Sequence, residues 1–312
     1  MKNFMVNLSQ LMFLTWTMLV VDNVIAQDSE PVIQANTTLK LTDSVYVIPD
    51  NFVRLVPNVG IVVGEEATLI IDTGLGPRNG ATVLEEARRV SNNNTLYVVA
   101  THFHPEHTLG VEGLGPEVIF IAPNIQAEEM KNGDRLKNQF ARRSTVAAEL
   151  LRDVSYPAPD ILFDNNYVLD LGGLTVRLIQ TGPLHTRGDT LILIEEESVL
   201  FSGDVLMQGV FPSFDAENGS YANWSRALDE ISVLKPEIIV GAHGGVGEKT
   251  LISDWKQLLT SVAESAGQLK AEGLSQSQAS RSLLDEISEK YPQWRSDARR
   301  INAAVQVAYR EY

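Results

Sequence analysis

Runs of apolar positions divide this chain into strands first and helices last. Ser44-Val45-Tyr46-Val47-Ile48 predicts a strand, and residues 59–63 and 67–71 predict a hairpin around Gly64-Glu65-Glu66. The second arm of that hairpin ends at Asp72-Thr73-Gly74. Residues 81–90 carry a helical period. Leu96-Tyr97-Val98-Val99-Ala100 is short and uninterrupted, the pattern of a buried strand. A strand is expected at 118–121 and a long helical stretch of mixed charge at 124–153. A second hairpin follows from 168–171 and 174–179 around Gly172-Gly173, then strands at 191–194, 199–201 and 237–240. From Ser253 to Tyr312 the period is helical, and Gly273 and Pro292 punctuate it into three helices. Two strand sets, each followed by helices, predict an α/β fold with sheets packed between helical layers.

Residues 1–26 stand apart. Lys2 precedes an apolar run at 11–21, and Val24-Ile25-Ala26 leads into polar Gln27-Asp28-Ser29-Glu30. The run is short for ~30 Å of hydrocarbon, and Asp22 and Asn23 interrupt it. This pattern predicts a signal peptide cleaved after Ala26, no stable membrane anchor after cleavage, and a periplasmic or secreted protein.

Composition then narrows the chemistry. The 312 residues are 44% hydrophobic, enough for a large core. Net charge is −15, which repels phosphate backbones and argues against nucleic acid as a partner. There is no cysteine, so disulfides, thiolate metal sites and thiol nucleophiles are excluded, and any metal must take nitrogen and oxygen ligands. A small-molecule substrate is the expected partner.

All five histidines sit beside strand ends. His102, His104 and His107 follow the strand at 96–100, while His185 and His243 each follow an apolar run close to glycine. Histidines at i and i+2 of an extended segment point to one side, so both imidazoles reach one ion. A turn through Pro105-Glu106 redirects His107 to a neighbouring position. Imidazole with carboxylate suits zinc. Asp204 adds a carboxylate at another strand end, after Val199-Leu200-Phe201-Ser202-Gly203.

His102-Phe103-His104-Pro105-Glu106-His107 resembles the HxHxDH signature of the metallo-β-lactamase superfamily. Asp72 in Ile71-Asp72-Thr73-Gly74, the segment from Thr181 to Asp189 around His185, Phe201-Ser202-Gly203-Asp204 and Gly241-Ala242-His243-Gly244 resemble its other motifs, in the same order. The resemblance implies an αββα sandwich over residues 27–252 with a C-terminal helical extension at 253–312. It implies two zinc ions per chain. His102, His104 and His185 would hold the first, His107 and His243 the second, with Asp204 between them. Asp72 would hold the ligand loop by hydrogen bonds, or serve only as a turn cap. Glu106 departs from the family aspartate, and is expected to ligate the second ion or to stand beside it. The implied reaction is hydrolysis of a small amide, lactam, lactone or ester, with Glu106 and Asp204 as catalytic carboxylates that orient water or carry its proton.

Two other readings remain at this level: an iron-dependent redox member of the superfamily, similar to a persulfide dioxygenase, and a non-catalytic periplasmic metal-binding protein. Phe211, Pro212 and Phe214 suit a pocket wall or, more simply, core packing. Arg135, Lys137, Arg142 and Arg143 suit a substrate carboxylate or, more simply, a solvated helix face. The C-terminal helices are candidates for covering a sheet, roofing the site or forming an oligomer.

Overall fold

The computed structural model describes residues 30–292 and 294–312, so the expected signal peptide lies outside the described residues. The first sheet holds β1 (Leu39–Lys40), β2 (Val45–Ile48), β3 (Val59–Val63), β4 (Ala67–Ile71), β5 (Thr95–Val99), β6 (Ile119–Pro123) and β7 (Ile161–Phe163), in that spatial order. Strands β1 to β4 pair antiparallel and β4 to β7 pair parallel. The second sheet holds β8 (Asn166–Asp170), β9 (Thr175–Gln180), β10 (Thr190–Ile194), β11 (Val199–Gly203), β12 (Ile238–Gly241) and β13 (Val246–Glu248). Its pairs are antiparallel except β11 with β12.

Strand alternation explains the layering. Along β4, Leu69 and Ile71 enter the core between the sheets, while Ile70 turns outward toward Val83 and Ala87 of α1 (Pro77–Val90). On the other sheet, Val176, Leu178 and Ile192 face inward. Leu191, Leu193 and Leu200 face outward onto α6 (Tyr221–Leu234), α7 (Thr250–Ala271), α8 (Gln276–Lys290) and α9 (Ala298–Glu311). The result is an αββα sandwich. Phe201 crosses between the sheets over Gly60, where an added Cβ would lie 2.5 Å from its ring.

Helix α6 was not anticipated by the apolar pattern, nor were the short strands β1, β7 and β13. The last three helices share one core with the second sheet, and α7 begins at Thr250. No helix of the described residues is long and apolar enough to cross a membrane.

Candidate metal centre

Five segments deliver their side chains to one rim of the sandwich. His102 follows β5. His104 caps α2 (Pro105–Thr108), whose single turn carries Glu106 and His107. His185 lies in the loop from β9 to β10, Asp204 directly follows β11, and His243 follows β12. Gly203 adopts φ 57°, and a Cβ there would stand 2.8 Å from Thr101, so glycine lets the Asp204 corner close on the histidine loop.

The ligand atoms fall into three overlapping groups, each with its members within 4.8 Å of one another: His102, His104 and His185; His102, His107 and Asp204; Glu106, His107 and His243. Asp204 joins the sets. Its Oδ2 lies 3.5 Å from His185 Nε2 and its Oδ1 3.7 Å from His243 Nε2. His104 Nδ1 stands 3.1 Å from His185 Nε2, and Glu106 Oε1 4.0 Å from His107 Nε2.

The far sides of three rings are held. His107 Nδ1 donates to Asp72 Oδ2 at 2.9 Å, His185 Nδ1 to the Ser213 carbonyl at 2.6 Å, and His243 Nδ1 to the Val56 carbonyl at 3.0 Å. At His185 and His243 these bonds set the tautomer that leaves Nε2 with its lone pair facing the centre. Burial opposes charge on His107, but Asp72 and the other carboxylates raise it to about 9, so that ring must shed its Nε2 proton to ligate a metal. Asp72 also accepts from Thr101 N at 2.7 Å and Thr101 Oγ1 at 3.0 Å, tying the ligand loop to the end of β4.

Burial and the neighbouring histidines push His102 and His104 well below the ordinary imidazole range, so both are neutral, as a ligand must be. Burial opposes charge on Asp204. His185, His243 and Arg300 overcome it and hold the carboxylate well below its usual range. At this centre four buried atoms have no hydrogen-bond partner among the described residues: His102 Nε2, His107 Nε2, Glu106 Oε2 and Asp204 Oδ1. An orphaned buried polar atom costs ~1–3 kcal/mol, so their convergence fits metal ions bound through nitrogen and oxygen.

Residues 53–243 match the family described as the Metallo-beta-lactamase superfamily. The chain belongs to that superfamily.

Within the metallo-beta-lactamase superfamily the chain is 27% identical over 168 residues to the human acyl-coenzyme A thioesterase MBLAC2, a match covering 49% of this chain and 59% of that one. It is 22% identical over 210 residues to a linear primary-alkylsulfatase of a Pseudomonas strain, covering 57% of this chain and 40% of the enzyme. The chain thus spans only about half the length of these curated relatives. The crystal structure of the metallo-beta-lactamase family protein TTHA1429 from Thermus thermophilus shares the fold at 20% identity, with a TM-score of 0.62 over 86% of this chain and 93% of that one.

Glu106, where the superfamily signature has aspartate, keeps its carboxylate beside His107 and His243. Three polar residues that shape the site carried no signal of their own in the sequence. Asp189 accepts from the backbone N–H of His185 and Thr186. Asn58 donates to the carbonyls of Gly241 and Gly244, and Asp50 accepts from Gly244 N at 2.9 Å, fixing the His243 loop. Phe211 and Phe214 are core, packed with Trp224 and Tyr221, and do not line the cavity. Of Arg135, Lys137, Arg142 and Arg143, Arg143 lines the cavity over the metal centre, whereas Lys137 binds the Val154 carbonyl at 2.7 Å.

Proposed function

We propose that this chain is a two-zinc hydrolase acting on a small ester, lactone, lactam or amide, exported through the leader at 1–26. One observation carries the reading: an ionised carboxylate, Asp204, stands between two imidazole clusters in which, among the described residues, His102 Nε2 and His107 Nε2 have no hydrogen-bond partner. His102, His104 and His185 would hold one ion, and His107, His243 and Glu106 the other, with Asp204 reaching both. Zinc bound there supplies Lewis acidity, bringing the pKa of water to ≈ 7 and stabilising developing negative charge on a carbonyl oxygen.

The chain's own residues do the rest. Asp204 stays ionised and orients water. Glu106 Oε2, buried and unpaired, is placed to take the proton released as water attacks and to return it to the leaving group. Asp72, Asn58 and Asp189 keep the histidines in register, so little reorganisation is needed at the reacting centre. The likeness to a thioesterase and an alkylsulfatase supports an ester-type bond and adds thioesters to the candidate substrates.

The test joins metal analysis to turnover. The purified protein should carry about two zinc ions and hydrolyse at least one of a 4-nitrophenyl ester, a chromogenic β-lactam and an acyl thioester. Chelation should abolish this and zinc restore it. His104→Ala should lose most first-site metal and all turnover. A fully active His104→Ala protein, or iron content without hydrolysis, overturns the reading.

A further inference from the structure

The cavity over the metal centre, of ≈ 470 Å³, is lined by several arginines, although the chain is strongly acidic. They come from distant segments: Arg54 from the loop between β2 and β3, Arg143 from the turn between α4 (Asp134–Ala141) and α5 (Thr145–Leu150), Arg295, which pairs with Asp50 at 3.3 Å, from the segment before α9, and Arg299 and Arg300 from the first turn of α9. Arg300 is engaged, donating to the Phe211 carbonyl at 2.7 Å with its other nitrogen 4.0 Å from Asp204. Arg299 pairs at 3.1 Å with Asp297, the cap of its own helix.

Arg143 differs. Its guanidinium lies 3.8 Å over the Phe140 ring, which holds it flat against the cavity wall. Among the described residues no carboxylate pairs with it or with Arg54. Burial weakens its charge; of the charges it feels, Glu106 at the metal centre is the strongest and attracts it, Arg54 and Arg299 repel it, and Asp297, already engaged, attracts it least. An anion in this cavity would meet, among the described residues, Arg54 and Arg143, which have no carboxylate partner, and Arg299, whose single partner is Asp297. The apolar faces of Leu136 and Phe140 flank the same space.

We propose that Arg143, with Arg54 and Arg299 lining the same cavity, holds an anionic oxygen group of the substrate, a carboxylate, sulfate or phosphate separated from the scissile bond by a short apolar spacer. This rests on the hydrolase reading for the scissile bond, but the anion site stands on its own geometry. The specificity it confers is for charged half-esters over neutral esters of equal length.

Calorimetry on the metal-loaded protein tests it with glutarate and butyrate. Each offers one carboxylate to the metals, and only glutarate carries a second for the arginines. Glutarate should bind about tenfold more tightly, as charge-assisted hydrogen bonds allow. Arg143→Gln should erase the difference and Arg143→Lys retain part of it. Arg299→Gln, at an exposed position where folding is not at risk, should reduce it several-fold. Inorganic sulfate and phosphate, competing against glutarate, rank the three anionic groups. Equal binding of the two acids by the unaltered protein overturns the proposal. So does an undiminished preference in Arg299→Gln and in folded, metal-loaded Arg143→Gln. A glutarate preference in a protein that turns over neither 4-nitrophenyl hemiglutarate nor 4-nitrophenyl butyrate supports the anion site and counts against the hydrolase reading.

Discussion

Asp72 adopts φ 63°, a left-handed conformation that aspartate tolerates better than most residues, and that bend directs its carboxylate beneath the ligand loop. Asp72→Asn nearly keeps the shape but can no longer accept at every position, so metal affinity should fall about 10–100-fold, measured by competition with a chelator. Glu106→Gln removes an anionic ligand from one cluster and leaves His102, His104 and His185 intact. Metal content should drop from about two ions toward one, with hydrolysis reduced rather than erased; unchanged two-ion binding would remove Glu106 from the ligand set. The histidines were legible in the sequence because their chemistry is local: a triplet within six positions directly after an apolar strand. Asp50, Asn58 and Asp189 were not. An aspartate or asparagine near a turn is commonplace, and only the folded chain shows Asn58 reaching Gly241 and Gly244 across the sandwich. The arginines of α9 were hidden for the same reason, because nothing in a helical period tells which face meets a distant strand end.

Among the elements, the long strands and the terminal helices were readable from period alone, while α6 was overlooked despite Ser220 as its cap and Tyr221, Trp224, Leu228 and Ile231 on one buried face. Its apolar positions are separated by Asp229 and Glu230, and a preceding loop rich in polar residues masked the start. Strands β7 and β13, of three residues each, exist through pairing with longer neighbours and carry too few positions to show alternation. The junction between sheets is more demanding than any single strand. Phe201→Ala would empty the space above Gly60 and should cost about 3–5 kcal/mol in denaturant unfolding, whereas an exposed change such as Val233→Ala should be nearly neutral. At the head of α9, Asp297 accepts from the N–H groups of Arg299 and Arg300 at 2.8 and 2.9 Å. Asp297→Ala should therefore loosen the helix by about 1 kcal/mol and, because the same turn lines the cavity, alter substrate KM more than an equally destabilising change elsewhere.

For the molecule as a whole, acidity is distributed over the surface while a half-buried carboxyl couples the fold to pH. Burial pushes Glu129 up to about 7, although its oxygens accept from Arg187 N and Gly188 N. A carboxyl raised above its unfolded value favours the protonated form in the folded state. Its contribution to stability is therefore complete below about pH 4.5 and is lost as pH rises through about 7. The loss is on the order of 1 kcal/mol after screening by solvent. Glu129→Gln should flatten this part of the profile, so the variant should gain stability relative to the parent from pH 5 to pH 8 in parallel denaturant titrations. A stability difference that stays constant over that range would mean the carboxyl ionises freely in the folded chain. The placement of α9 bears on how the molecule comes into being. Its first turn walls the cavity, yet it is made after every histidine and after both sheets. A growing chain can thus assemble the sandwich and collect its metals while one side of the cavity is still missing, and catalytic competence should arrive abruptly, with the docking of a helix synthesised late.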